Sequence, residues 1–375
     1  MTLVEQKILD TQFINQSQTG LTEFDFKLPR TLEAHEPPEA RGLARDQVRL
    51  MVSYYQHDQF IHAIFKDLGQ FLDPGDVLVI NTSGTLKAAL DAWREDGTRL
   101  KIHLSTHLEP NVWVVELRQP SGDDAKPVRG SYPGERYQLL AGGSATMIAP
   151  YDSKFQPYKT REKERIRLWK AKIDLPMEFG KYLERFGSPI QYPYLYQEWP
   201  INFYQTVYAT EEGSAEMPSA GRPITPKLIT ELVAKGIDFA PLILHTGVAS
   251  LEAHEAPYEE YYRIPEETAW KINNAKAHDK RIIAVGTTSA RAIETVADKS
   301  GKVHSGEGWT DLVITPQRGI RVIDGLLTGF HEPRASHLSI LAALADEHHL
   351  RLAYKEALKE KYLWHEFGDV HLLLP

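Results

Sequence analysis

The sequence predicts an α/β protein: a mostly parallel sheet with flanking helices, plus an inserted small antiparallel β-barrel domain. Three observations support this fold class. The apolar run 77–80, Val-Leu-Val-Ile, lies between turn residues and is typical of a buried strand. Short alternating segments separated by Gly, Pro and Asp occupy residues 94–174 and indicate antiparallel strands. From residue 204 onward, strand-like and helix-like segments alternate, which favours parallel strands joined by helices.

The predicted domains follow from this change of pattern. Residues 94–174 are assigned to the β-barrel domain, and residues 1–93 and 175–375 together form a discontinuous α/β catalytic domain. A chain of 375 residues is long enough for two to three domains. Within the barrel domain, the clearest strands are predicted at 100–104, 112–117 and 165–173.

The second half of the chain has the clearest alternation of elements. Helices are predicted at 226–235, 265–277 and 289–297, and strands at 239–244, 281–285 and 312–315. Ligands of open α/β sheets bind outside the carboxyl ends of the parallel strands. The loops that follow these strands are therefore the predicted binding site.

The composition excludes several classes of protein. The chain is 42% hydrophobic and 25% charged, as expected for a globular protein with a full core. No stretch approaches the ~20 uncharged apolar residues of a membrane span. Glu5, Lys7 and Asp10 lie among the first ten residues, and the apolar run of a signal peptide is missing there. A cytoplasmic location without membrane association is expected.

The absence of cysteine from the sequence narrows the chemistry further. The chain cannot supply a disulfide, a cysteine-ligated zinc site or an iron–sulfur cluster, and its histidines do not follow metal-site spacings, so no metal is predicted. The dinucleotide, phosphate-loop and hydrolase-elbow motifs are also missing from the sequence. The net charge of −8 gives no general attraction to nucleic acid, so RNA contacts would require a local basic patch.

Two of the predicted strand-end loops contain histidine. His245 follows the strand at 239–244, where an imidazole can transfer protons, although a structural hydrogen bond is the commoner role of a lone histidine. The loop 328–334 contains His331 beside acidic and basic residues, and Asp311 lies upstream. Spacing alone does not decide which of these groups face a common pocket.

A third loop is suited to binding an anion or a sugar. Gly286, Thr287 and Thr288 lie at the start of a predicted helix, and Arg291 follows within its first turns. Helix N-terminal N–H groups and hydroxyls can hold a carboxylate, a phosphate or a ribose, and plain helix capping is the alternative. Upstream, the small residues 219–221, Ser-Ala-Gly, are suited to letting a flat base lie against the backbone.

One basic run lies within the predicted barrel. The run consists of Lys159, Arg161, Lys163, Arg165 and Arg167, and the last four are spaced at period two, so they would share one face of a strand. A solvated face is the simpler interpretation, and a stripe that contacts phosphates is the alternative.

Taken together, ten segments resemble the S-adenosylmethionine:tRNA ribosyltransferase-isomerases over nearly the whole chain. They occur in family order. The segments are Phe24-Asp25-Phe26 with Leu28-Pro29, Arg45-Asp46 with Arg49-Leu50, Pro74-Gly75-Asp76, Tyr204–Ala209, Pro218–Gly221 with Thr225, Leu244-His245 with Gly247, Val285–Ser289 with Arg291 and Glu294, Thr310–Leu312, Leu326–Thr328 with Phe330-His331 and Pro333, and Gly368-Asp369.

The resemblance implies both a fold and a reaction. The fold is an α/β domain with an inserted β-barrel, as the alternation of segments also predicts. In the reaction, S-adenosylmethionine donates its ribosyl moiety to 7-aminomethyl-7-deazaguanine in tRNA, giving epoxyqueuosine and releasing adenine and methionine. S-adenosylmethionine is the substrate, no metal is needed, and the partner is tRNA. A monomer is expected.

The chain departs from the family pattern in its loops. The family's Asn-Asp-Thr-Arg is replaced by residues 81–84, Asn-Thr-Ser-Gly, and its Gly-Leu-His-Phe-Thr by residues 221–225, Gly-Arg-Pro-Ile-Thr. Such changes preserve a scaffold and alter what binds to it, which indicates a divergent paralogous branch. Two alternatives therefore stay open: an S-adenosylmethionine-dependent transferase acting on another acceptor, and a non-catalytic RNA- or nucleoside-binding protein.

The resemblance, combined with the loop positions, gives a set of predicted site residues. The predicted catalytic residues are His245, Asp311, His331 and Glu260. The predicted S-adenosylmethionine-binding residues are Ser219, Ala220, Gly221, Gly286, Thr287, Thr288 and Arg291. The predicted RNA-binding residues are Arg45, Arg49, Arg161, Lys163 and Arg165.

Overall fold

The computed structural model describes residues 25–120, 126–151, 166–248 and 258–375. Within these ranges the chain forms eighteen strands and six α-helices. The strands are β1 Arg49–Tyr54, β2 Gln59–Ile64, β3 Val77–Asn81, β4 Ser83–Thr85, β5 Ala89–Trp93, β6 Arg99–Glu109, β7 Val112–Arg118, β8 Arg136–Leu139, β9 Ser144–Pro150, β10 Leu168–Asp174, β11 Gly187–Ser188, β12 Glu211–Ser214, β13 Asp238–Leu244, β14 Glu260–Ile264, β15 Ile282–Val285, β16 Gly306–Thr310, β17 Gly325–Gly329 and β18 Val370–Leu374. The helices are α1 Phe179–Phe186, α2 Pro226–Lys235, α3 Glu266–Ala277, α4 Thr287–Val296, α5 Leu338–Ala345 and α6 Glu347–Lys359.

A nine-stranded mixed sheet forms the larger unit. Its strand order is β16-β14-β13-β3-β15-β17-β18-β1-β2. The four central strands, β13, β3, β15 and β17, run parallel. On one side β14 and β16 pair antiparallel, and on the other β18 runs antiparallel to β17 but parallel to β1. The predicted α/β unit is confirmed, and its parallel pairing is concentrated at the centre of the sheet.

Strand β3 shows why this sheet has two hydrophobic faces. All five of its residues are buried, as expected for a central strand covered on both sides. Val77 and Val79 join the core that contains α3, α4, α5 and α6, whereas Leu78 and Ile80 join the core that contains α2. Side chains of a strand alternate between the two faces, so one apolar run of four residues serves both cores.

The second sheet is the predicted barrel. Strands β5, β6, β7, β10, β9 and β8 pair antiparallel in that order, and pairing between β5 and β8 closes the barrel. Tyr137 and Trp169 are almost completely buried in its core. The paired strands extend from Ala89 to Ser188, wider than the predicted interval 94–174, because β5 pairs with β6 and β11 pairs with β5. The division into domains at residues 94 and 174 stays a prediction.

Helix α2 has the same bounds that the sequence predicts. Thr225 caps its first turn, because the side-chain oxygen accepts a hydrogen bond from Leu228 N at 3.2 Å, and Pro226 occupies the first helical position. Gly236 ends the helix with a φ of 88°, a left-handed conformation that glycine adopts readily. Start and stop signals of this strength fix both ends of a helix locally.

The predicted strand at 312–315 is wrong. The strand in this part of the chain is β16, Gly306–Thr310, and the apolar residues that follow it have no strand partner among the described residues. Instead, Leu312 O accepts a hydrogen bond from Arg291 Nε at 3.1 Å, and Ile314 is buried in the core. The other five elements predicted at 226–297 are present, with ends shifted by two residues or fewer. No helix within the described ranges combines the length and apolarity required to cross a membrane.

Candidate functional site

A large cleft lies between the carboxyl ends of the central parallel strands and the barrel. Its volume is about 910 Å³. The loops after β13, β15 and β17 contribute residues 246–248, residues 286–288 with Arg291, and residues 328–332 with 335–337. The barrel contributes His103, Glu116 and Arg118. The position is the one that parallel α/β sheets favour for ligands, as the sequence predicts.

The N-terminus of helix α4 opens into this cleft. Gly286 precedes the helix with a φ of 89° and offers no capping side chain, so the first N–H groups of the helix are not satisfied by a side-chain cap. Thr287 and Thr288 line the cleft beside it. Unsatisfied N–H groups and the positive end of the helix dipole attract anions, so this end of α4 favours a carboxylate or phosphate.

Arg291 and Glu260 form an ion pair next to that helix end. One terminal nitrogen of Arg291, Nη1, binds Glu260 Oε2, and Gly247 N donates to Glu260 Oε1 at 3.1 Å. The Arg291 side chain is nine-tenths buried and lines the cleft, and its other terminal nitrogen, Nη2, has no hydrogen-bond partner within the described ranges. A buried guanidinium with an unfilled donor is an additional anion-binding group.

His331 lines the cleft on the other side of the helix end. Its Nε2 lies 2.8 Å from Thr328 Oγ1, and its ring stacks on His337 with the centroids 4.8 Å apart. Burial, with smaller contributions from His337 and two further histidines, holds the pKa of His331 well below the usual range. Burial and the charge of Arg291 lower the pKa of His337 to about 4. Both rings are therefore neutral near pH 7, so each has one ring nitrogen with a free lone pair.

His245 lies outside the group of described residues that line the cleft. Its Nδ1 is 2.8 Å from Ser83 Oγ, and its Nε2 is 3.6 Å from Glu211 Oε1. A Cβ at Gly213 would lie 2.4 Å from the imidazole, so only glycine allows the ring to occupy this position. Burial lowers the pKa of His245, and Glu211 acts in the opposite direction. The predicted proton-transfer role of His245 stays a prediction.

The remaining predicted binding residues divide into two groups. Ser219 and Ala220 line the cleft, whereas Gly221 packs against Tyr208, whose hydroxyl oxygen would lie 1.7 Å from a Cβ at that position. Asp311 is not among the described cleft residues, although the next residue, Leu312, is. Gly221 is thus required for packing.

The basic residues predicted to contact RNA are only partly described. Arg45 donates to Gln205 O at 3.1 Å, and Arg49 donates to Glu360 O at 2.7 Å and lies 3.9 Å from the centroid of the Tyr362 ring. Both guanidiniums are therefore held by the protein's own backbone. Arg161, Lys163 and Arg165 lie outside the described residues. Arg167, the last member of the basic run, is buried and bound to Glu116 at 3.0 Å, so the prediction of a solvated or phosphate-contacting face is wrong for this residue.

Two parts of the cleft were not predicted from the sequence. One is an aromatic wall, residues 190–196 with His365 and Glu366, and the other is a buried charged group on the barrel that includes His103, Glu116 and Arg118. The sequence Gln-Tyr-Pro-Tyr-Leu-Tyr at 191–196, with three tyrosines in six residues, was the available signal for the wall. Within the described ranges, no three histidine or acidic side chains are arranged to hold a metal ion.

Comparison with known proteins supplies the family. A family model described as a queuosine biosynthesis protein matches residues 21–373. The chain belongs to the queuosine biosynthesis protein family. The match covers both the α/β unit and the inserted barrel, so it concerns the whole architecture.

Curated members of the family have similar lengths. The S-adenosylmethionine:tRNA ribosyltransferase-isomerase of Thermotoga maritima is 35% identical over 365 residues, covering 94% of this chain and 99% of that protein. The protein of the same name from Symbiobacterium thermophilum is 36% identical over 370 residues, with the same coverage. The crystal structure of the S-adenosylmethionine tRNA ribosyltransferase of Thermotoga maritima matches with a TM-score of 0.50 and 29% identity, covering 94% of this chain and 100% of that one.

Proposed function

We propose that this protein transfers and isomerises the ribosyl moiety of S-adenosylmethionine onto 7-aminomethyl-7-deazaguanine in tRNA, releasing adenine and methionine. The names of its family relatives supply the reaction. The observation within this chain that carries the proposal is the anion site formed by the α4 N-terminus and the unfilled Nη2 of Arg291. S-adenosylmethionine offers a carboxylate for that site.

We assign a different role in this reaction to each group of cleft residues. The sulfonium of S-adenosylmethionine acidifies the neighbouring 5′-carbon, so a base can remove a proton there. The glycosidic bond then breaks and adenine leaves with a proton, the acceptor amine forms a new C–N bond to the sugar and gives up a proton, and the C5′–S bond breaks to release methionine. We assign the base role to neutral His331, whose ring lines the cleft. Arg291, Thr287 and Thr288 hold the methionine carboxylate, and Ser219 with Ala220 lines the space for a flat base.

Glu260 receives a different role from the one that the sequence predicts. Both carboxylate oxygens of Glu260 are occupied by the protein, Oε2 by Arg291 Nη1 and Oε1 by Gly247 N–H. We therefore propose that Glu260 positions the Arg291 guanidinium, leaving Nη2 for the ligand.

A second candidate is the same ribosyl transfer to a free deazapurine nucleoside. The observation that favours it is the excess of acidic over basic residues in the cleft lining, six glutamates against three arginines. The glutamates are Glu33, Glu116, Glu216, Glu260, Glu332 and Glu366. A polyanionic RNA is repelled by such a surface, whereas an amine-bearing nucleoside is attracted to it.

The decisive experiment offers the purified protein S-adenosylmethionine with either acceptor. Release of adenine and methionine, and the modified nucleoside formed, are followed by mass spectrometry. Release that depends on tRNA carrying 7-aminomethyl-7-deazaguanine, with epoxyqueuosine formed, supports the family reaction. Release that depends only on the free nucleoside supports the second candidate. Absence of release with both acceptors, while S-adenosylmethionine still binds, contradicts both and leaves a binding protein.

A further inference from the structure

The aromatic wall of the cleft contains stacked rings. Tyr192 and Tyr194 lie nearly parallel, with centroids 5.6 Å apart and an interplanar angle of 7°. Tyr194 in turn stacks on His365 at 4.0 Å and 9°. All three residues line the cleft. Rings held in this way form a rigid, flat surface, which is the kind of surface on which proteins stack nucleobases.

The same wall contains buried polar atoms that the protein leaves unfilled. Gln191 Oε1, Tyr194 Oη, His365 Nε2 and Glu366 Oε2 are buried and form no hydrogen bond with any described residue. Buried polar atoms normally have partners, and leaving one unfilled costs about 1–3 kcal/mol. Four such atoms on one cleft wall, beside flat rings, indicate a ligand that combines a planar face with hydrogen-bonding edges.

The chemistry of Glu366 narrows the ligand further. When ionised, its carboxylate only accepts hydrogen bonds, so a ligand that donates to Oε2 favours the ionised form. A guanine-type base presents two adjacent donors, N1–H and the 2-amino group, on one edge, whereas adenine presents a single amino group. Burial raises the pKa of Glu366 to about 7, and a hydrogen bond from its own backbone acts in the opposite direction.

We propose that residues 191–196, with His365 and Glu366, form a subsite for a guanine-type base, which the rings hold by its face and Glu366 by its 2-amino and N1–H edge. This subsite lies apart from the anion site at Arg291, although both open into one cleft. The inference rests on the proposed function and deepens it, because it states where the acceptor base is held and which residues select it.

Tyr196 continues the flat surface to the rim of the cleft. Its side chain is 78% exposed and stacks on His35 with the centroids 4.2 Å apart. His35 is fixed in turn by Tyr194 O at 2.5 Å and by Arg30 O at 3.2 Å. A large exposed aromatic ring in a fixed orientation is available to a base that follows or precedes the bound one in a single strand.

The test measures binding of nucleosides in the presence of saturating S-adenosylmethionine, so that its site is filled. Guanosine and inosine, which lacks the 2-amino group, are titrated against the wild type and Glu366→Gln by ligand-observed NMR. We expect guanosine to bind the wild type about 10-fold more tightly than inosine, since a site built to bind a group penalises its absence. In Glu366→Gln this preference is lost, while the dissociation constant of S-adenosylmethionine stays within twofold.

Matched variants separate recognition from folding. Tyr194→Phe removes one hydroxyl of the aromatic wall. We expect it to weaken the binding of guanosine about threefold or more, as the loss of one hydrogen bond should. Glu231→Gln and Tyr132→Phe make the same changes at exposed positions, and neither residue lines the cleft among the described residues. Both controls are expected to bind guanosine as the wild type does.

Each outcome bears on the subsite. An unchanged guanosine preference in Glu366→Gln, or no guanosine binding to the wild type, overturns it. Guanosine binding that an anticodon stem-loop RNA displaces identifies a base of RNA as the natural occupant, and binding that this RNA leaves intact identifies a free nucleoside. Loss of the preference in a protein that releases no adenine with any acceptor retains the subsite and contradicts only the proposed reaction.

Discussion

Two arginine–glutamate pairs at the cleft differ in how completely each is enclosed. In the barrel, Arg167 and Glu116 are 1% and 0% exposed, and the two terminal nitrogens of Arg167 bind Glu116 and the Tyr258 hydroxyl, each at 3.0 Å. In the α/β unit, Arg291 binds Glu260 through one terminal nitrogen and keeps the other unfilled by any described group. The first pair therefore has both terminal nitrogens of its arginine bonded to the protein, and the second leaves one terminal nitrogen for a ligand.

The comparison teaches that burial of an ion pair does not by itself indicate function. A buried pair is costly to desolvate wherever it occurs, so its presence is weak evidence of stability or of catalysis. The two pairs differ in whether both terminal nitrogens of the arginine form hydrogen bonds within the protein. Substitutions that remove each arginine in turn should therefore affect different properties of the protein.

The largest effect is expected from Arg167→Met. The change leaves Glu116 buried with Arg118 as its remaining cationic neighbour, so the free energy of unfolding should fall by about 3 kcal/mol. Urea unfolding followed by tryptophan fluorescence measures this. The double variant Arg167→Met/Glu116→Gln should recover part of the loss, because no fully buried carboxylate is left without Arg167, although Arg118 loses its contact with Glu116. A loss below about 1 kcal/mol contradicts the view that this pair is structural.

Arg291→Met is expected to have a smaller effect, and chiefly on catalysis. Removing the carboxylate clamp should lower kcat/KM for S-adenosylmethionine about 100-fold, or about 2.7 kcal/mol. Steady-state release of adenine measures it. Adding Glu260→Gln removes the unpaired carboxylate and should restore stability but not turnover. Recovery of turnover in the double variant would show that Arg291 acts only by neutralising Glu260.

The barrel and the α/β unit each contain a buried histidine that makes the stability of the protein depend on pH. Burial lowers the pKa of His103 in the barrel, and of His371 in the α/β unit, to about 3 each. Each ring is neutral when folded but takes up a proton near pH 6.5 when unfolded. The unfolded state therefore binds more protons between about pH 6.5 and 3, and stability falls as the pH falls through this window, by up to about 1.4 kcal/mol per pH unit for each histidine.

Urea unfolding between pH 7.5 and 4.5 tests this dependence in both units. His103→Gln and His371→Gln should each flatten the decline below pH 6.5 and leave the region above pH 7 unchanged. His371 is hydrogen-bonded to Ser53 Oγ at 2.7 Å, so glutamine retains a polar group there. Equal slopes for both variants and the wild type would show that the two rings do not titrate differently on folding.

The smallest expected effects concern salt. Arg45 and Arg49 are bound to backbone oxygens, so replacing either with glutamine should leave the salt dependence of tRNA binding unchanged. Replacing Arg161 or Lys163 should reduce the slope of log K against log salt by about one unit each, if the basic run contacts phosphates. Filter binding between 50 and 300 mM salt measures the slopes. The opposite pattern would assign RNA contact to the α/β unit.

Local signals were sufficient for much of the fold. Thr225, Pro226 and Gly236 fix the ends of one helix by capping chemistry that depends on neighbouring residues only. The strand predicted at 312–315 was wrong because its apolar residues pack against remote elements without pairing. An apolar run predicts that its residues are buried, but it does not predict whether another strand is available to pair with its backbone.

The site was harder to predict because its parts come from distant segments. Ligands of α/β sheets bind at the loops that follow the carboxyl ends of parallel strands, and this rule predicted correctly that Arg291 and His331 line the cleft. It placed His245 there too, but that side chain turns toward Ser83 and Glu211. The sequence around Glu366 does not predict its place in the cleft. That place depends on contact with a distant segment, residues 191–196, and on a carboxylate oxygen without a hydrogen bond among the described residues.

The position of strand β18 has a consequence for how the chain folds during synthesis. Val370–Leu374 lies between β17 and β1 in the large sheet, so β1 and β2 stay separated from the other strands until these residues leave the ribosome. The barrel strands, by contrast, all lie between Ala89 and Ser188 and can pair much earlier. We expect the barrel to form first on the nascent chain, and the sheet that carries the cleft to close last.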